Sequence, residues 1–143
     1  MKRWLTPGRI FQTALLLGAV WLIATAWSIE PDARGHGTHE QLGREPCGYL
    51  QRTGEPCPSC GMTTSFAHTV RFQIVAALRA NPAGTVLSLL VMLLPLHLIG
   101  SWRNGVPPEA ILRPPRAAYL IIGMSLLVAL SWWYKIRAMS GTG

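Results

Sequence analysis

AGTVLSLLVMLLPLHLIGSW, Ala83 to Trp102, carries no Asp, Glu, Lys or Arg. At about 1.5 Å of rise per residue, about 20 residues of helix cover the roughly 30 Å hydrocarbon core of a bilayer. Ile10 to Ile29 and Ala117 to Tyr134 are free of charge in the same way. Across the chain 50% of residues are hydrophobic and 13% charged, where soluble domains carry about 25% charged residues. The reading that follows is an all-α integral membrane protein with about three transmembrane helices, spanning about 10–29, 83–102 and 117–134. These form a single membrane domain over 1–143, in which residues 30–82 make a long, cysteine-containing first connector.

The flanks of the spans support this division. Trp27, Trp102, Trp132, Trp133 and Tyr134 fall at the expected helix ends, where an amphipathic ring sits at headgroup level. The net charge of +7 comes from basic residues scattered singly around apolar segments, so they read as membrane flanks and not as a nucleic-acid surface. Basic residues near helix ends balance on the two sides of the membrane. The dense cluster Lys2, Arg3 and Arg9 then decides for a cytoplasmic N-terminus. A rival reading treats the first span as a signal peptide cleaved after Ala24-Thr25-Ala26, although the apolar run continues through Trp27 and Ile29.

Glu30 to Glu45 is rich in Gly, Pro and charge and reads as irregular loop, with His36 and His39 as exposed or metal-ligating side chains. From Met62 the apolar residues Met62, Phe66, Val70, Ile74 and Leu78 recur every four positions, with Thr64, His68 and Arg71 on a more polar side. That is an amphipathic helix whose stripe drifts about 40° per step, so a break is expected near Arg71. It lies either in the membrane interface, with Arg71 and Arg79 snorkelling to phosphate, or wholly against the spans. Asn81-Pro82 reads as an N-cap followed by a proline at the first helical position. Within the second span Pro95 should kink the helix and His97 should be neutral and hydrogen-bonded. Ala14 and Gly18 offer one small-residue packing face on the first span.

The chain's three cysteines are Cys47, Cys57 and Cys60. In order along the sequence stand Cys47, Thr53-Gly54, Cys57-Pro58-Ser59-Cys60-Gly61-Met62-Thr63, the helical stretch Phe66 to Ala80, Asn81-Pro82 and the apolar Leu87 to Leu98. This order resembles the small bacterial membrane proteins of the domain of unknown function 2752 family. Their pattern often places Arg after the final Thr, where this chain has Thr64. The resemblance implies a location in the bacterial inner membrane and this architecture, but no reaction.

The sulfurs admit several chemistries. A structural zinc would take Cys47, Cys57 and Cys60, with His68 two helical turns beyond Cys60 as fourth ligand and His36 or His39 as rivals. A redox pair would use Cys57 as nucleophile near a helix N-terminus and Cys60 as resolving thiol, although the βαβ context of a thioredoxin-like enzyme is missing. A static disulfide or plain packing of free thiols is also open. Taken together, the sequence describes a polytopic membrane protein with a structural or binding role and a connector clamped by zinc or disulfide. The alternative is a membrane thiol–disulfide redox protein using Cys57 and Cys60. Its partners are the lipid bilayer and a membrane protein or second copy, and no nucleic acid.

Overall fold

The computed structural model describes residues 7–104 and 115–140. The stretch 105–114 between the second and third spans and the basic residues Lys2 and Arg3 lie outside them. Six α-helices follow in order: α1 Pro7–Ser28, α2 Gly48–Thr53, α3 Met62–Val70, α4 Ile74–Ala80, α5 Pro82–Asn104 and α6 Arg116–Ser140, with a 3-10 turn at Thr38–Leu42. There is no strand among the described residues. Pro7–Ser28, Pro82–Asn104 and Ala117–Ala138 are each long and apolar enough to cross a membrane, as the sequence indicates.

The long helices bury little of themselves against one another, and their outer faces carry exposed Phe11, Leu17, Leu93, Leu96, Ile121 and Leu126. Lipid covers such a surface at no cost, because hydrocarbon is as apolar as leucine. Where α1 does pack, it presents Gln12, Ala19 and Ala26, seven residues apart on one face. The small residues allow close approach, and Gln12 Nε2 donates to the Leu98 carbonyl across the antiparallel α1–α5 pair at 2.7 Å. The expected Ala14/Gly18 face is turned outward: a side chain at Gly18 would meet nothing within 4 Å.

The connector helix breaks where the drifting stripe requires. α3 ends at Val70 and α4 begins at Ile74, with Phe72 at φ 60 in the reversal. α3 packs against α5 and α1, and its most buried positions are Thr64, Ser65, Ala67, Thr69 and Val70. The face is thus set by small size more than by apolarity. Its hydroxyls are satisfied internally: Ser65 Oγ donates to Met62 O and Thr69 Oγ1 to Ser65 O, both at 2.7 Å. A Cβ at Gly84 of α5 would overlap Ser65 Oγ, so only glycine permits this approach.

Arg71 is engaged by the end of α1. Its guanidinium donates to the carbonyls of Ala26, Trp27 and Ile29 at 3.1, 2.6 and 2.8 Å and lies 5.3 Å from the Trp27 ring centroid. These carbonyls end α1 and have no partner within the helix, so a cation there satisfies hydrogen bonds and macrodipole together. At the opposite end of α1, Arg9 stands 5.9 Å from the Trp102 ring.

Asn81 caps α5 as its sequence position suggests: Oδ1 accepts from Gly84 N at 2.8 Å. Pro95 lies inside α5 without ending it. His97 is exposed and has no hydrogen-bond partner among the described residues, which differs from the hydrogen-bonded side chain expected. α6 is held by its C-terminal end, through Ser131, Trp132 and Lys135. Trp132 therefore serves as a docking residue, its Nε1 donating to Pro56 O at 2.8 Å, while Trp133 remains exposed.

Candidate thiol site

The end of α1, the start of α5 and the end of α6 converge on the connector, and the cysteines lie there. Cys47 immediately precedes α2. Cys57 to Gly61 forms consecutive turns, with Cys60 N bonded to Cys57 O at 2.9 Å and Met62 N to Ser59 O at 3.0 Å. Pro58 restricts the first turn, while Gly61 at φ 80 takes the left-handed conformation that starts α3. A Cβ on Gly61 would sit 2.5 Å from both Ala80 O and Gly35 O. The glycine is required twice, by its φ and by the backbone that crosses it.

This folding brings Cys47 Sγ and Cys57 Sγ to 3.5 Å. Cys57 Sγ also lies 3.3 Å from Ser59 Oγ. Both cysteines are half-buried, whereas Cys60 is buried at 6% exposure. The Leu50 N–H at the start of α2 favours the Cys47 thiolate and lowers its pKa, outweighing partial burial, without closing a conventional side-chain cap. Burial pushes the Cys60 thiol up, and the neighbouring Cys57 sulfur adds to the effect.

Two adjoining clefts open onto these sulfurs. One of about 280 Å³ is bordered by His39, Cys47, Cys57, Cys60 and Thr63. The other, about 290 Å³, is bordered by Arg34, His36, Glu40, Cys47, Leu50 and Cys60. Their outer wall is the loop in which Arg34 pairs with Asp32 at 2.6 Å and Glu40 at 3.1 Å, and Arg34 holds the Asp32 carboxyl at about 2. Thr38 anchors that loop to α3 through a buried 2.8 Å hydroxyl contact with Thr64. His36 is pushed to a lower pKa by burial first and then by the charges of Lys135 and Arg34.

Of the residues singled out in the sequence, Cys47 and Cys57 are brought together and Cys60 lies beside them. His68 borders neither cleft; its Nδ1 lies 2.7 Å from Gln73 Oε1. Among the described residues no three His, Cys, Asp or Glu side chains are grouped to hold a metal ion. The expected set Cys47, Cys57, Cys60 and His68 is therefore not assembled here. His39 does reach the cleft, with Nε2 at 3.2 Å from Glu45 O.

Sequence reading missed the polar framework beneath the thiols. Asn81, 1% exposed, donates from Nδ2 to Cys60 O at 3.0 Å and accepts at Oδ1 from Ser131 Oγ at 3.0 Å. Ser131 Oγ in turn accepts from Ala83 N at 3.2 Å. Lys135, 5% exposed, donates to Gly35 O at 3.2 Å. Ser131, Trp132 and Lys135 share one face of α6, and their i, i+1, i+4 placement at the end of an apolar helix was the available signal.

Three apolar helices and a connector docked on their ends define a small all-helical protein of the multi-pass membrane class. Residues 47–95, from Cys47 into α5, match the family described as "Protein of unknown function (DUF2752)". No curated protein and no solved structure matches the chain.

Proposed function

We propose that this protein is a membrane thiol–disulfide exchange protein whose working couple is Cys47 and Cys57. The observation that carries the reading is the 3.5 Å separation of two unbonded sulfurs on a cleft open to a partner. A disulfide needs about 2.05 Å between sulfurs, so small rotations about the Cys47 and Cys57 side chains close the bond. The lowered pKa of Cys47 suits it to act as attacking or leaving thiolate. Cys57 then pairs with Cys47 ten residues upstream, and not first with Cys60. The cluster Lys2, Arg3 and Arg9 supports a cytoplasmic N-terminus, and with that orientation in a bacterial inner membrane the connector faces the oxidising side.

The test is thiol counting on the full chain, trapped in acid directly from membranes and again after mild oxidation and reduction. The reading expects one disulfide per oxidised chain, opened reversibly by a small dithiol, and labelling of the reduced pair by a membrane-impermeant maleimide from outside. Three thiols that survive oxidation would overturn it. One zinc per chain with no disulfide would replace it with the structural clamp.

A further inference from the structure

Cys60 and Lys135 are not used by the Cys47–Cys57 couple, and both are buried. A lysine ammonium has three donors, yet in Lys135 the hydrogen bond to Gly35 O accompanies 5% exposure. Its Nζ stands 3.1 Å from the position a Cβ would take on Gly61, the residue after Cys60. No carboxylate among the described residues is paired with it, and the ionisable group of opposite sign that acts on it is Cys60. A buried cation is costly unless it meets an anion, and Cys60, the residue before Gly61, is the nearby group that becomes one when it loses its proton.

Building on the exchange reading above, we propose that Cys60 takes the disulfide over from Cys47, with Lys135 as the positioning residue that holds the Cys60 thiolate. Cys60 gives its proton to solvent in the cleft, and its thiolate attacks Cys57 Sγ in the Cys47–Cys57 disulfide. The Cys57–Cys60 bond forms as the Cys47–Cys57 bond breaks, and the electron pair leaves on Cys47, which departs as thiolate. Nothing is oxidised or reduced overall. The turn that ties Cys60 N to Cys57 O at 2.9 Å holds the two residues within reach, and the Leu50 N–H receives the charge on the leaving Cys47. The disulfide thereby moves from the rim of the cleft to its buried floor, freeing Cys47 to react again with a partner.

The groups that face Cys60 are Cys47 and Cys57 from the connector, Lys135 from α6, and Arg34, His36, His39 and Glu40 across the shared clefts. Arg34 and Glu40 are paired with each other. Among the described residues that face Cys60, Lys135 is thus a cation with no carboxylate partner.

The experiment uses the full chain in detergent, oxidised briefly, with disulfides mapped by peptide mass spectrometry over time. In the wild type the Cys47–Cys57 bond should appear first and give way to Cys57–Cys60 as Cys47 becomes alkylatable. K135M should slow that shift about tenfold, the change in thiolate fraction for one pK unit, and move its pH dependence upward, while K135R restores both. C60S should keep Cys47 locked. Absence of a Cys57–Cys60 bond, a K135M rate within twofold of wild type, or release of Cys47 in C60S at the wild-type rate would each overturn the inference. If Cys47–Cys57 never forms, the parent reading fails instead, and the two failures are distinguishable in one time course.

Discussion

Replacing Asn81 with alanine removes one side chain that holds three elements together. Its Nδ2 satisfies the Cys60 carbonyl, and its Oδ1 accepts from Gly84 N and Ser131 Oγ. Loss of an N-cap costs typically about 1 kcal/mol. The Cys60 carbonyl is then left short of a partner in the interior, at about 1–3 kcal/mol, and Ser131 loses one of two contacts. The sum is about 2–4 kcal/mol. N81D keeps the capping acceptor but turns a buried carboxylate oxygen toward the Cys60 carbonyl, so it should not recover the loss. Equilibrium unfolding in mixed micelles measures both. An N81A protein within about 1 kcal/mol of wild type, with Cys60 still unreactive, would refute the idea that this residue joins the cysteine turn to α5 and α6.

Arg71→Met should loosen the α1 end, because it removes donors to three carbonyls; partial exposure limits the loss to about 2–3 kcal/mol, and hydrogen exchange should rise first at the N-terminus of the connector. In per-residue alkylation against pH, Cys47 should reach half-maximal rate below the ordinary thiol range and Cys60 above it, since thiolate is the reactive form and the two shifts are opposite; coincident profiles would contradict the assigned environments. Gly61→Ala should prevent accumulation or abolish the Cys47–Cys57 proximity, because its Cβ would collide with Ala80 O and Gly35 O, and a normal disulfide yield in that variant would count against the turn described.

The spans were legible because a run of 20 uncharged residues has few fates in water, and the Arg71 break followed from a period that does not divide 3.6. Asn81-Pro82 was legible as a helix start for equally local reasons. What could not be read locally was who meets whom. Met62, Phe66 and Val70 looked like the packing stripe, yet α3 is seated by the closeness that Ser65 and Gly84 permit, a property of two helices together. Arg71 read as a lipid-facing cation because its carbonyl partners lie more than 40 residues upstream. Cys57 and Cys60 drew attention by their spacing, whereas the contact at 3.5 Å belongs to Cys47 and Cys57. Lys135 read only as a basic membrane flank, because a lysine at the end of an apolar helix ordinarily is one.

The measurement nearest the central claim is disulfide mapping of the full chain after the shortest oxidation that consumes two thiols. The account predicts a bond between Cys47 and Cys57 with Cys60 still a free, slowly alkylated thiol. A first bond from Cys47 to Cys60, or a disulfide only between separate chains, would contradict it.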